Sequence, residues 1–295
     1  MERKKLGFIL VFSAGVCWGS AGVLGKILMN NGLQPETVAM YRLTIGFLAL
    51  TLVFLLLNPT VLRVKPRKIP CLSVAGVVGV AGGILAYFYA VKLISASVAV
   101  LLLYAYPIFT LMLARFFVGE KPTLTKVFAV MFVVVGCFFV VKGYSLTYLK
   151  LTGLGVAVGL ASALAYSIYM ILSKVMLKDV EEPTIIVYTL GFGALTLTLV
   201  NLFFNGIFIP HGIQTWILIF LIAFIPTTAA FTFFIFGLKN VEAGRASIYS
   251  TSEIISALVL AFLFLGERLE PLQMVGAAII FLSIITMYWR EKRFS

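Results

Sequence analysis

The chain has 295 residues, 62% of them hydrophobic and only 12% charged, with a formal net charge of +12. Soluble domains carry about a quarter charged residues, so this composition, with a mean hydropathy of +1.11, excludes a water-soluble enzyme or binding module and indicates an integral membrane protein. The excess of basic residues does not imply nucleic-acid binding, because they are scattered among short loops and not gathered on one polar surface.

A helix needs roughly 20 apolar residues to cross ~30 Å of hydrocarbon. Segments of that kind lie at 6–29, 36–57, 70–92, 96–118, 122–142, 151–174, 184–205, 213–237, 244–265 and 271–289. The first follows Arg3, Lys4 and Lys5, as the core of a signal peptide would, but its apolar run is too long for one. It also aligns with the internal segment at 151–174, so it is read as a retained helix. Connections are short, the longest being 58–70. The expected fold is all-α, with ten transmembrane helices.

The two halves repeat each other. Lys26 and Pro35 recur as Lys174 and Pro183, and Gly119-Glu120-Lys121 recurs as Gly266-Glu267-Arg268. With five spans per half, at 1–146 and 147–295, the second copy sits upside down relative to the first. Inverted repeats of this kind are a hallmark of secondary transporters, whose substrate sites lie near the bilayer midplane. With the N-terminus inside, basic residues crowd the cytoplasmic loops, which predicts a multi-pass protein of the cell membrane with both termini in the cytoplasm.

Glu253 is the one acidic residue placed deep in a span. An intramembrane ionisable group is expensive and usually faces a cavity. Two roles follow: binding the ammonium of a substrate, or carrying a coupled proton. The alternative is a structural glutamate bonded to a neighbouring helix. Tyr249 and Ser256 share its helical face, and the repeat places Tyr106 at the equivalent position. In the sixth span Ser162, Tyr166, Tyr169 and Ser173 form one polar stripe in an apolar helix. Its mate in the first span carries Trp18 and Ser20. Trp18, Tyr166 and Tyr169 are read as an aromatic wall for an apolar side chain or a cation, with packing between helices as the other reading. Tyr87, one turn beyond Gly83, is a further candidate for the cavity.

Gly15 and Gly19, Gly79 and Gly83, and Gly155 and Gly159 are small-xxx-small pairs that let helices approach closely. Pro226 in the eighth span frees a carbonyl that Thr227 and Thr228 can satisfy. The two Gly-Glu pairs are read as helix caps whose carboxylate favours the next helix. Arg42, Lys26 and Lys174 are assigned to structure and orientation, snorkelling to the interface. Cys17, Cys71 and Cys137 show no paired spacing, so neither a disulfide nor a metal site is expected.

The pieces "CWGSAGVLGK", Arg42, Gly119-Glu120, "ALAYSIYMILSK" and "SEIISALVLAFLFLGERL" together resemble the drug/metabolite transporter superfamily, specifically its EamA-type ten-helix carriers. The resemblance implies two inverted five-helix bundles around a central cavity lined mainly by spans 1, 3, 4, 6, 8 and 9, and the export of amino acids or other small metabolites. In one respect the chain departs from the family pattern: Ile254 follows Glu253 where relatives often have proline, and proline appears instead as Pro107 in the fourth span, which puts a hinge in the ninth span in doubt. The leading expectation is a secondary-active carrier working by alternating access, by proton antiport or by simple facilitated exchange, with a small-molecule substrate, membrane lipids around it, no cofactor and no nucleic acid. The substrate-site candidates are Trp18, Ser20, Tyr87, Tyr106, Tyr166, Tyr169, Tyr249, Glu253 and Ser256. Alternatives are an exporter of amines, nucleosides or drugs, and an intramembrane lipid-modifying enzyme. The enzyme reading is disfavoured because no acid-base pair shares a span.

Overall fold

A computed structural model describes residues 2–144, 152–206 and 208–293, and among these every regular element is helical. The expected boundary between the halves, at 146 and 147, and the start of the sixth span at 151 lie outside the described residues. Among the described residues nine helices are long and apolar enough to cross a membrane: α1 Glu2–Asn30, α2 Pro35–Leu57, α3 Pro66–Leu93, α4 Ala96–Val118, α6 Gly153–Met176, α7 Glu182–Phe204, α8 Ile213–Asn240, α9 Ala243–Leu265 and α10 Pro271–Arg290. Between α4 and α6 lies α5, Leu124–Val140, an apolar helix of 17 residues. At 1.5 Å per residue it is ~25 Å long, just short of the hydrocarbon thickness.

Ion pairs between helix ends fix the direction of each helix. Lys68 at the start of α3 pairs with Asp179 just after α6, and Lys239 at the end of α8 pairs with Glu182 at the start of α7 (2.6 Å). These lie on the face that carries the start of α1, called here the N-terminal face. Lys92 at the end of α3 pairs with Glu36 at the start of α2 (2.7 Å), and Lys142 beyond α5 with Glu270 before α10 (2.7 Å), both on the opposite, distal face. Successive helices therefore alternate in direction, and α1 and α6 run opposite ways.

The packing has a two-fold pattern. Helix α1 packs on α8 and α9, α6 packs on α3 and α4, α2 on α7, and α5 on α10. Exchanging each helix with the one five places along leaves this set unchanged. Lipid removes most of the hydrophobic drive between helices, so close approach of small residues has to hold them. A Cβ on Gly15 would come within 2.1 Å of Ser252 Oγ, and one on Gly19 within 2.0 Å of Ser256 Oγ, so these two glycines seat α1 against α9. Gly79 does the same for α3 against Tyr169 of α6, and Gly136 and Gly276 face one another where α5 crosses α10.

Two helices are interrupted at corresponding places. Helix α4 breaks at Tyr104 and Ala105, between Ala96–Leu103 and Tyr106–Leu113, and α9 breaks at Ser250 and Thr251, between Ala243–Tyr249 and Ser252–Leu265. In α4 the break precedes Pro107, which cannot donate a backbone hydrogen bond. In α9 no proline is needed: the Ser250 hydroxyl donates to the Ala246 carbonyl (2.9 Å) and that of Thr251 to Ile248 (2.6 Å). The ninth span is thus interrupted without a proline, with hydroxyls bonding to carbonyls beside the break. Wide helical turns span Ala75–Gly82 in α3 and Phe224–Ala229 in α8. At Pro226 the freed carbonyl of Ile222 accepts from Thr227 Oγ1 (3.0 Å), and Thr228 Oγ1 donates to Ala223 (2.9 Å).

Candidate functional site

The interruptions in α4 and α9 face a central cavity. Its main chamber, about 500 Å³, runs from Lys26, Met29 and Pro35 at the distal face inward to Arg42, Tyr87, Tyr104, Tyr166 and Glu253. Its inner end continues into a narrow chamber of about 30 Å³, where Trp18, Arg42, Tyr166 and Glu253 meet Tyr106, Tyr169, Phe231, Phe234 and Ser250. Gly22 and Gly25 of α1 have no neighbour within 4 Å of a built Cβ, so this stretch of α1 borders open space.

Glu253 stands in the first turn of the distal half of α9, two residues past the break. Its position follows from its neighbours: Gly15 and Gly19 let α1 close on Ser252 and Ser256 at either side, which turns the intervening glutamate toward the cavity. Tyr104 sits beside its carboxyl. Tyr106 lines the inner chamber with its ring 6.3 Å from that of Tyr166, and its hydroxyl meets Ser250 Oγ (2.9 Å) and donates to the Ser247 carbonyl (3.0 Å), linking the two broken helices. Trp18 and Tyr169 converge on the same phenylalanines, Trp18 at 5.1 Å and Tyr169 at 6.0 Å from Phe234.

Three candidates lie elsewhere. Tyr249 is fully buried, its ring edge-on to Phe8 at 4.8 Å, and does not line the cavity. The Ser20 hydroxyl donates to the Cys17 carbonyl (2.7 Å), and Ser256 donates to the Glu253 carbonyl (3.1 Å) while filling the gap left by Gly19. Periodicity put all three on a polar face, but a helical face is wider than the cavity, and small hydroxyls satisfy themselves on their own helix.

Three assignments made from sequence are corrected. Arg42 does not snorkel to the interface; it lines both chambers opposite Glu253, and its Nε is buried without a hydrogen-bond partner. Lys174 turns inward, donating to the carbonyls of Leu238 and Val241 (2.7 Å each) at the end of α8. Glu120 does not serve the next helix: its carboxylate accepts from the backbone N–H groups of Ala243 (2.6 Å) and Gly244 (3.0 Å), capping α9 from across the bundle. Lys126, buried, reinforces this corner through Glu242 (3.1 Å) and Glu120 (3.9 Å).

These contacts draw the ends of α4, α6, α8 and α9 together on the N-terminal face, and no residue of the last turn at those ends lines either chamber. The equivalent residues on the distal face make different contacts: Lys26 and Glu267, each half exposed, pair with one another at 2.7 Å beside the open mouth. The Lys92–Glu36 and Lys239–Glu182 pairs, in contrast, are present on both faces.

The EamA-like transporter family model matches residues 5–142 and again 153–289. An uncharacterized transporter of Archaeoglobus fulgidus is 28% identical, covering 92% of each chain, and the uncharacterized transporter YcbK of Bacillus subtilis is 25% identical, covering 99% of this chain and 96% of its own. The pseudopaline exporter CntI of Pseudomonas aeruginosa is 24% identical over 99% of both chains. A solved crystal structure superposes with a TM-score of 0.83 at 19% identity, covering 98% of both chains, which shows a shared fold.

Proposed function

Because the chain belongs to the EamA-like transporter family, we propose that it is a secondary carrier that exports amino acids or related small metabolites across the cell membrane by alternating access. The observation that carries this reading is one cavity, about 500 Å³, open at the distal face, sealed at the N-terminal face, with Glu253 at its inner end. A channel would need a path through; a carrier needs a site reached from one side at a time. The halves 1–146 and 147–295 are taken as inverted repeats, with both termini in the cytoplasm as the excess of basic residues in the loops on that side suggests. The open mouth then faces outward.

Lys174 and Glu120 form the latch of the cytoplasmic gate, and Lys26 and Glu267 are its released counterpart, parked on each other. Alternation exchanges the two: Lys26 leaves Glu267 for carbonyls at the end of α3, Glu267 caps the start of α4, and the contacts of Lys174 and Glu120 open. These repeat-related pairs make different contacts on the two faces, as parts that move in alternation would. Glu253, the acidic group in the cavity, holds the coupled proton or the substrate ammonium. The name of the Pseudomonas relative, a pseudopaline exporter, supports export as the direction.

The test is counterflow of labelled neutral amino acids in proteoliposomes. Uptake that competes with unlabelled substrate and falls in Glu253→Gln supports the reading; a protein shown to be folded that accumulates none of them moves the search to amines, nucleosides and drugs.

A further inference from the structure

Arg42 is a charged side chain without a use in the fold. It sits seven residues into α2, ~10 Å from the distal end at 1.5 Å per residue, and lines the cavity at both its wide and its narrow part. Its Nε is buried and unpartnered, and no hydrogen bond or ion pair to another side chain is found for its guanidinium among the described residues. Glu253 faces the same space, yet the two are not close enough for a direct salt bridge. A buried arginine and a buried carboxylate held apart are each costly, and a guest carrying the two complementary charges satisfies both.

We propose that Arg42 is the carboxylate receptor of the substrate site and, with Glu253 facing it, selects substrates that are amino-carboxylate zwitterions. The inference rests on the carrier reading above and names its substrate class. The planar guanidinium offers paired donors matched to a carboxylate, while Glu253 takes the ammonium. A phosphate is disfavoured, because its second negative charge would stand near Glu253 while the other cation of the chamber, Lys26, lies at the mouth and is paired with Glu267. The remaining wall, Trp18, Tyr166, Phe231 and Phe234, is apolar and receives a neutral side chain.

The test uses the full-length protein and three matched panels: neutral amino acids, their methyl esters and their decarboxylated amines. Each is measured as a competitor of labelled amino-acid counterflow and by the thermal stabilisation of the purified protein. Wild type is expected to prefer the free amino acid over both analogues by roughly ten- to a hundred-fold, the size expected for a lost charge-assisted hydrogen bond. Arg42→Gln should erase the preference over the ester, and Arg42→Lys should retain part of it. Esters and amines that bind as well as amino acids in wild type, or an Arg42→Gln protein that keeps the preference, overturn the proposal while leaving the carrier intact. If Arg42→Gln does not fold, the wild-type ratios still decide. If folded wild type neither moves nor is stabilised by any panel, the amino-acid carrier reading falls together with the inference.

Discussion

In a bilayer a single ionisable side chain is visible in the sequence because everything around it is apolar, and Glu253 stands out for that reason. Its depth in the span could be counted from the chain; the direction in which it points could not. That direction is set by Gly15 and Gly19, which admit α1 so closely that Ser252 and Ser256 are taken up in the contact. Gly19→Leu should therefore cost about 1–3 kcal/mol by overpacking, read as a lower unfolding temperature in detergent, and should also lower transport by displacing Glu253. Glu253→Gln should reduce counterflow by roughly tenfold or more, the loss of one charged hydrogen bond, and flatten its pH dependence while leaving the unfolding temperature near that of wild type. A Gln protein with an unchanged rate and pH profile would return Glu253 to a structural role. Arg42 was misread from sequence because seven residues from a helix end is within snorkelling range, and no one-dimensional pattern tells an interface from a cavity.

At the scale of the helix, the gates join elements far apart in sequence. Lys174→Met, or Glu120→Gln, should weaken the seal on the N-terminal face and raise labelling of a cysteine placed at Ser247; Lys26→Met should leave that labelling unchanged in this state. Equal effects of both lysines would remove the latch assignment. A second tie is peripheral: Lys68 at the head of α3 holds Asp179 in the turn after α6. The hydrogen bond from Lys68, with its charge next in weight, lowers the Asp179 pKa below its ordinary value. A depressed folded pKa contributes stability above the unfolded value, and this is lost as pH falls through the folded one. In wild type that loss should therefore come below the usual aspartate range, and in Lys68→Met the contribution should be absent, measurable as a smaller difference in unfolding temperature between pH 6 and pH 3. With Asp179 exposed and Lys68 only half-buried, the effect should be small. The Gly-Glu motifs were legible as helix ends, since Gly119 and Gly266 adopt positive φ (79° and 66°). What the glutamates hold was not legible, because their partners lie across the bundle.

For the whole molecule, the cavity opens to one face only, and this gives a direct measurement. With Cys17, Cys71 and Cys137 replaced, Gly22→Cys should react with a membrane-impermeant thiol reagent added on the distal side, because nothing stands within 4 Å of its Cβ. Tyr249→Cys, buried behind Phe8, should stay unreactive from that side. Protection of Gly22→Cys by a transported amino acid would tie the chamber to substrate. The sequence by itself determined the membrane class, the number and order of the helices and the glycine seams, because apolar length and small-residue spacing are local properties that the bilayer reads one helix at a time. Which polar groups converge in the cavity, which face is shut, that Arg42 turns into the cavity, and where Lys174 and Glu120 find their partners was decided by tertiary structure alone. Those contacts join residues 64 to 124 positions apart, and their geometry comes from how closely the helices can pack.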